Sequence, residues 1–128
     1  MIEVEQIKRS ISLIAAIDRV EFDSEALADD ALVLTYAFPE PEEYAAAIRA
    51  TARALQLIVD SRVNAAQLHD DYNGWSSYHY QHRINQGSKA DMRIMFRRKG
   101  DVVQVRGFGH RRMPADFYRR MSEVGRGR

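Results

Sequence analysis

With 128 residues, 45% hydrophobic and 29% charged, the chain has the size and composition of one globular domain. It lacks cysteine, which excludes disulfides and thiolate chemistry, and its four histidines lack the spacing of a metal site. The net charge of +1 hides a division: residues 1–61 hold 5 basic and 12 acidic residues, and residues 62–128 hold 14 and 6.

The first element in chain order is a helix over 3–17, with Ile7, Ile11, Ile14 and Ala15 at helical spacing. Residues 19–22 read as a short strand. Asp23-Ser24-Glu25 opens a second helix, with Asp23 or Ser24 as N-cap and Ala26, Leu27, Ala31 and Leu34 on it. Pro39-Glu40-Pro41 ends it and suits the start of a third. Over 42–60, Tyr44, Ala47, Ile48, Ala52, Leu55, Ile58 and Val59 form one apolar stripe. Residues 61–76 read as a connection. From 77 the period becomes two: Tyr78, Tyr80 and His82 alternate with His79, Gln81 and Arg83. A turn over 85–89 leads to strands at 92–98 and 102–109, joined by Lys99-Gly100-Asp101. A short helix over 115–123 and a frayed Gly-Arg-Gly-Arg end complete the outline. Helices first and an antiparallel sheet second make the expected fold class α+β, in a single domain over 1–128. Residues 1–18 are read as a helical extension and 121–128 as a flexible basic tail.

The basic half carries the chemistry. Alternation puts Arg93 and Met95 on one face of their strand and Met92, Ile94 and Phe96 on the other, so Arg93 points away from the apolar side. Pairing about the 99–101 turn sets Arg93 roughly opposite Gly107, with Gly109 and His110 close by. Arg106, Arg111 and Arg112 then converge on it, a grouping suited to a phosphate and to the added charge of a phosphoryl transition state. His82 and His110 are the proton carriers in reach of neutrality. Phe117 and Tyr118 lie among basic residues, where rings stack on unpaired bases; Tyr118 is expected to be the exposed one, while Trp75, Phe96 and Phe108 are expected in the core. No carboxylate pair adjoins the cluster. The polyanion that fits is RNA.

These residues resemble the RelE-like toxins (RelE/ParE superfamily) of bacterial toxin–antitoxin modules. Asp91-Met92-Arg93-Ile94-Met95-Phe96 is similar to that family's x-x-R-[LI]-x-[YF] strand, and Gly109-His110-Arg111-Arg112 to its G-H-R-[RK] ending with an aromatic residue beyond. Ala66-Gln67-Leu68 to Gly74, Gln81-His82-Arg83-Ile84 and Val20 to Leu27 resemble the entry to the preceding strand and the opening strand and helix. The resemblance implies helices packed on a small antiparallel sheet, here with an extra N-terminal helix. It implies a ribosome-dependent messenger RNA endonuclease, in which the RNA 2′-hydroxyl attacks the adjacent phosphate with neither metal nor cofactor. The implied partners are messenger RNA in the ribosomal A site, ribosomal RNA and a separately encoded antitoxin. By position, Arg93 would stabilise the phosphate, Arg111 would assist there or at the leaving group, and Tyr118 would orient a base. His82 or Arg83 would take the basic strand position, with Lys89 as a rival, and His110 would support it or carry a proton. Arg83, Lys89, Arg106, Arg112, Phe117 and Arg119 complete the expected RNA surface.

Two departures stand out: the 85–90 segment is longer than the family's turn, and the aromatic after His-Arg-Arg is displaced. A non-catalytic protein inhibitor on the same fold, for example of DNA gyrase, and a plain RNA-binding module are the alternatives. No apolar run is long enough to cross a bilayer, and the early acids Glu3 and Glu5 without a cleavage pattern speak against a secretory signal. With the absence of cysteine, the expected location is cytoplasmic, with no membrane partner.

Overall fold

The computed structural model describes residues 1–23, 25–61, 63, 65–68 and 72–124. Its elements are α1 (Val4–Ala15), β1 (Val20–Phe22), α2 (Ala26–Ala37), α3 (Pro41–Val59), β2 (Ala66–Gln67), β3 (Ser76–Tyr80), β4 (Met92–Lys99), β5 (Val102–His110) and α4 (Phe117–Val124). The five strands form one open sheet in the order β1-β5-β4-β3-β2.

The sheet is mixed, which corrects the expected antiparallel one. β2, β3, β4 and β5 pair antiparallel, but β1 lies parallel to β5, with Val20 opposite Val103. The two helices after β1 form part of a long crossover, the kind of connection that parallel pairing needs. No residue pattern within three-residue β1 could specify its partner.

Period-two alternation sorts β4 as expected. Met92, Ile94 and Phe96 enter the main core with Tyr80, Val103, Val105 and Phe108, beneath α2 and α3. Met95 turns to the opposite face, into a second cluster with Trp75, Phe117 and Met121. Phe108 is fully buried and meets Phe22 edge to face at 6.4 Å; burying such a ring contributes about 1.5–3 kcal/mol. α1 packs on α2 and α3 through Ile14, also fully buried.

The β4–β5 register differs from the expected one by two residues. Lys99 pairs with Val102, so the loop is Gly100-Asp101, with Gly100 at φ +64°, where a side chain would be strained. A bulge follows: Met95 faces Gly107 while Phe96 faces Val105, leaving Arg106 as the extra residue. Arg93 therefore pairs with Gly109, not Gly107. The two shifts add to an even number, so Arg93 keeps the face that alternation assigns it.

Other boundaries moved for local reasons. Glu25, at φ +64° and without a side-chain cap bond, is the N-cap of α2, in place of Asp23; Ser24 lies outside the described residues. The 61–76 connection contains the two residues of β2. β3 ends at Tyr80, so His82 and Arg83 stand beyond the strand. Met121 to Val124 belong to α4, with Met121 fully buried, so the tail assignment is corrected there; residues 125–128 lie outside the described residues.

Candidate functional site

The face of the sheet away from α2 and α3 is half covered by α4. Phe117 and Met121 seal one end of it against Trp75 and Met95. At the open end, register sets three residues side by side across three strands: His79 on β3, Arg93 on β4 and Gly109 on β5. Tyr118 on α4 leans over this row. Its hydroxyl lies 2.7 Å from the Ser77 hydroxyl and 3.1 Å from His79 Nε2, within electrostatic reach of Arg93. The Tyr118 carbonyl accepts a hydrogen bond from the Tyr72 hydroxyl.

Arg93 donates from Nη1 to the carbonyls of Ala90 and Met92, each at 2.9 Å, and its buried Nε has no partner. Burial pulls its guanidinium below the usual arginine value, Tyr118 and Asp91 oppose that, and Arg111 adds repulsion. It remains a cation at neutral pH, held by backbone carbonyls in a fixed direction. His79 is exposed. Burial of its inner edge, with repulsion from Arg93, holds its imidazole below the usual histidine value. The neutral ring that results can accept a proton.

α4 is clamped by a buried ion pair. Among the described residues, no strand lies beside the outer edge of β5 beyond Val105. Asp30 of α2 fills that place: its Oδ2 accepts from the Phe108 amide at 3.0 Å and its Oδ1 from Arg120 Nη1 at 2.8 Å. Arg120 Nη2 donates to the Phe108 carbonyl at 2.9 Å. Arg120 passes over Gly109, where a Cβ would come within 2.7 Å of Nη2. Glycine there lets α4 close down, and closure sets Tyr118 over the row.

His110 lies on the other face, 5.9 Å from the Phe38 ring. Its Nδ1 accepts the amides of Arg112 and Met113 at 3.0 and 3.1 Å. A nitrogen that accepts two N–H groups carries no proton, so the ring is neutral with its hydrogen on Nε2. Burial, with Arg111, His82 and Arg93 nearby, lowers its pKa, and Asp91 opposes this. His110 is thus committed to shaping the 111–113 turn. That turn is also tied to β4, since the Arg111 amide donates to the Asp91 carbonyl at 2.9 Å.

His82 is held in a separate ion-paired group. Its Nδ1 lies 2.6 Å from Asp91 Oδ2 and its Nε2 3.2 Å from Glu43 Oε2, and its ring packs 4.4 Å from Phe38. Arg83 Nε donates to the same Glu43 oxygen at 2.6 Å, which more than any other contact holds the Glu43 carboxyl below the usual range.

Of the residues expected at the site, the structure brings Arg93 and Tyr118 to the same row, with Arg111 within electrostatic reach. Lys89, Arg112 and Arg119 are exposed, Arg119 beside Glu123 at 3.1 Å. Two expected RNA contacts are corrected. Arg106 is 4% exposed, wedged under α4 with its guanidinium 5.3 and 5.6 Å from the Tyr72 and Trp75 rings. Phe117 is fully buried and has no free face for a base. Tyr118, expected to be the exposed ring of the pair, is partly exposed. His79 lies outside the expected set, because the β3–β4 register that sets it beside Arg93 is not written in either strand.

Among the described residues, no three histidine, aspartate or glutamate side chains converge as a metal ion would require, and no helix is long and apolar enough to cross a membrane. Comparisons with protein-family models, with curated proteins and with solved structures each give no match.

Proposed function

We propose that the chain is an endoribonuclease that cuts messenger RNA in the ribosomal A site by attack of the RNA's own 2′-hydroxyl. On this reading it is the toxin of a toxin–antitoxin module, silenced by a separately encoded antitoxin and acting in the cytoplasm. The observation that carries the proposal is the convergence of His79, Arg93 and Tyr118 on one point of an open sheet face. Those three groups, with Arg111, divide the work of the reaction. His79, neutral and exposed, takes the proton from the 2′-hydroxyl. Arg93 and Arg111 meet the phosphate as charge builds on it. Tyr118 orients the nucleotide and bridges base and cation. The 2′-oxygen forms its bond to phosphorus as the bond to the 5′-oxygen breaks. The products are a 2′,3′-cyclic phosphate and a 5′-hydroxyl, the leaving oxygen taking its proton from water.

The excess of basic residues in the second half of the chain supports a polyanionic substrate. The test is inducible expression with mapping of message 5′ ends, followed by cleavage of ribosome-bound messages with pure protein. Growth arrest with discrete 5′-hydroxyl ends is expected. Loss of DNA supercoiling with intact messages would establish the inhibitor instead, and RNA binding with neither effect would leave a binding module.

A further inference from the structure

Behind His79, on the side of β3 away from β4, a hollow of about 430 Å³ lies between α3 and the 84–88 loop. Its size suits a single small-molecule group. It exists because α3 presents Ala50 and Ala54 there, where larger side chains would fill the space. Tyr78 forms one wall. Its ring runs parallel to Tyr80, 5.9 Å between centroids and 8° apart. Tyr80 is itself fixed by the Thr51 hydroxyl at 2.7 Å, so the Tyr78 ring has a set orientation.

The opposite wall is held in shape too. Gln81 Nε2 donates to the carbonyls of Asn85 and Ser88 at 3.0 and 2.8 Å, and Gln81 Oε1 accepts the Asn85 amide at 3.0 Å. The rim carries the exposed amide of Gln86, the cation Arg53 and Ile84, which is 87% exposed. A pre-shaped slot with an aromatic wall, an apolar lip, side-chain amides and a cation fits one unpaired base with its phosphate. Lysine-like charge alone or an apolar groove alone would not select it.

We propose that this hollow is a base-binding subsite, seating a nucleotide of single-stranded RNA adjacent to the one that reacts. His79 lines the hollow and also belongs to the row with Arg93, while Tyr78 points to the opposite face of β3, so one strand of RNA would pass around the β3 edge from subsite to reacting phosphate. The subsite gives the cleavage its base preference. This inference rests on the endoribonuclease reading above.

The experiment measures cleavage of ribosome-bound messages that differ at one position beside the cut. Tyr78→Ala is expected to raise KM about tenfold, the scale of one base–aromatic stack, with kcat within about twofold. Tyr78→Phe keeps the ring and is expected to keep wild-type KM. Gln86→Ala, in an exposed loop, is expected to change which base is preferred while leaving kcat unchanged. A 2-aminopurine at the seated position is expected to be quenched by wild-type protein and not by Tyr78→Ala. Wild-type cleavage with KM, base preference and fluorescence unaltered by Tyr78→Ala and Gln86→Ala would overturn the subsite and spare the ribonuclease reading. Wild-type protein that cuts no message would overturn both.

Discussion

His79 Nε2 and the Tyr118 hydroxyl lie 3.1 Å apart, although the two residues are 39 positions apart in the chain. The contact joins a neutral imidazole to a hydroxyl already held by Ser77 at 2.7 Å. His79→Gln keeps a side chain of similar reach but removes the base. On the proposed mechanism it is expected to lower kcat by about 10²–10⁴-fold, the usual range for a general base, with KM little changed. Tyr118→Phe keeps the ring and loses both hydroxyl contacts, and is expected to fall between wild type and Tyr118→Ala. Single-turnover cleavage checks the series. Wild-type rates in His79→Gln would remove His79 from the chemistry.

The two lowered histidines fix the sign of a pH effect. Burial pulls His79 and His110 below the ordinary value of 6.5. Between the folded and unfolded values, the unfolded chain binds more protons, so stability rises with pH. It is fully present above about pH 6.5 and is lost as pH falls through the lowered folded values. Protonation of His110 at Nδ1 would also evict the amides of Arg112 and Met113. Urea midpoints measured from about pH 8 down to about pH 5 should fall on the acid side. Cleavage should lose its base over the same limb, and His110→Gln should flatten the stability profile while leaving the His79 limb of the rate.

Arg106 and Arg112 look alike in sequence and are expected to fail differently. Arg106 is buried beneath α4 among Trp75, Tyr72 and the Met121 carbonyl. Arg106→Ala is expected to cost about 2–4 kcal/mol of stability, through lost packing and groups left without partners. Arg112 is exposed. Arg112→Ala is expected to leave the urea midpoint within about 0.5 kcal/mol and to reduce the salt dependence of RNA binding by about 0.7 in log–log slope, one phosphate's worth for a single strand. Equal salt slopes in both variants would contradict this division.

The division also shows what the sequence can carry. Alternation placed Arg93 and Met95 on one face and Met92, Ile94 and Phe96 on the other, because a period of two survives any even change of register. The register itself was not legible, since the bulge at Arg106 depends on how α4 and Trp75 fill the far face. Arg106 reads as a surface cation for the same reason: its burial comes from a helix that returns from further along the chain. The parallel placement of β1 has no signal in three residues. The helices were legible because their apolar stripes are local, and Tyr118 because it stands among charges. His79 was hidden because its partners, Tyr118 and Arg93, come from α4 and β4, and only folding brings them together.

Gly109 and Asp30 together test whether the clamp on α4 positions Tyr118. A Cβ at Gly109 would fall 2.7 Å from Arg120 Nη2, and Arg120 cannot swing aside without leaving Asp30 and the Phe108 carbonyl. Gly109→Ala is therefore expected to cost about 1–3 kcal/mol, the scale of overpacking a filled site. Asp30→Ala leaves the largely buried Arg120 uncompensated and the Phe108 amide without its acceptor. It is expected to cost about 3–5 kcal/mol. In the double variant Asp30→Ala with Arg120→Met, the buried charge goes with its partner, and much of that loss should return. Urea melts of the four proteins measure this. If α4 docking is what sets Tyr118, cleavage by Gly109→Ala should fall under conditions where the protein is still folded. Full activity in a destabilised Gly109→Ala protein would show that Tyr118 finds its place without the clamp.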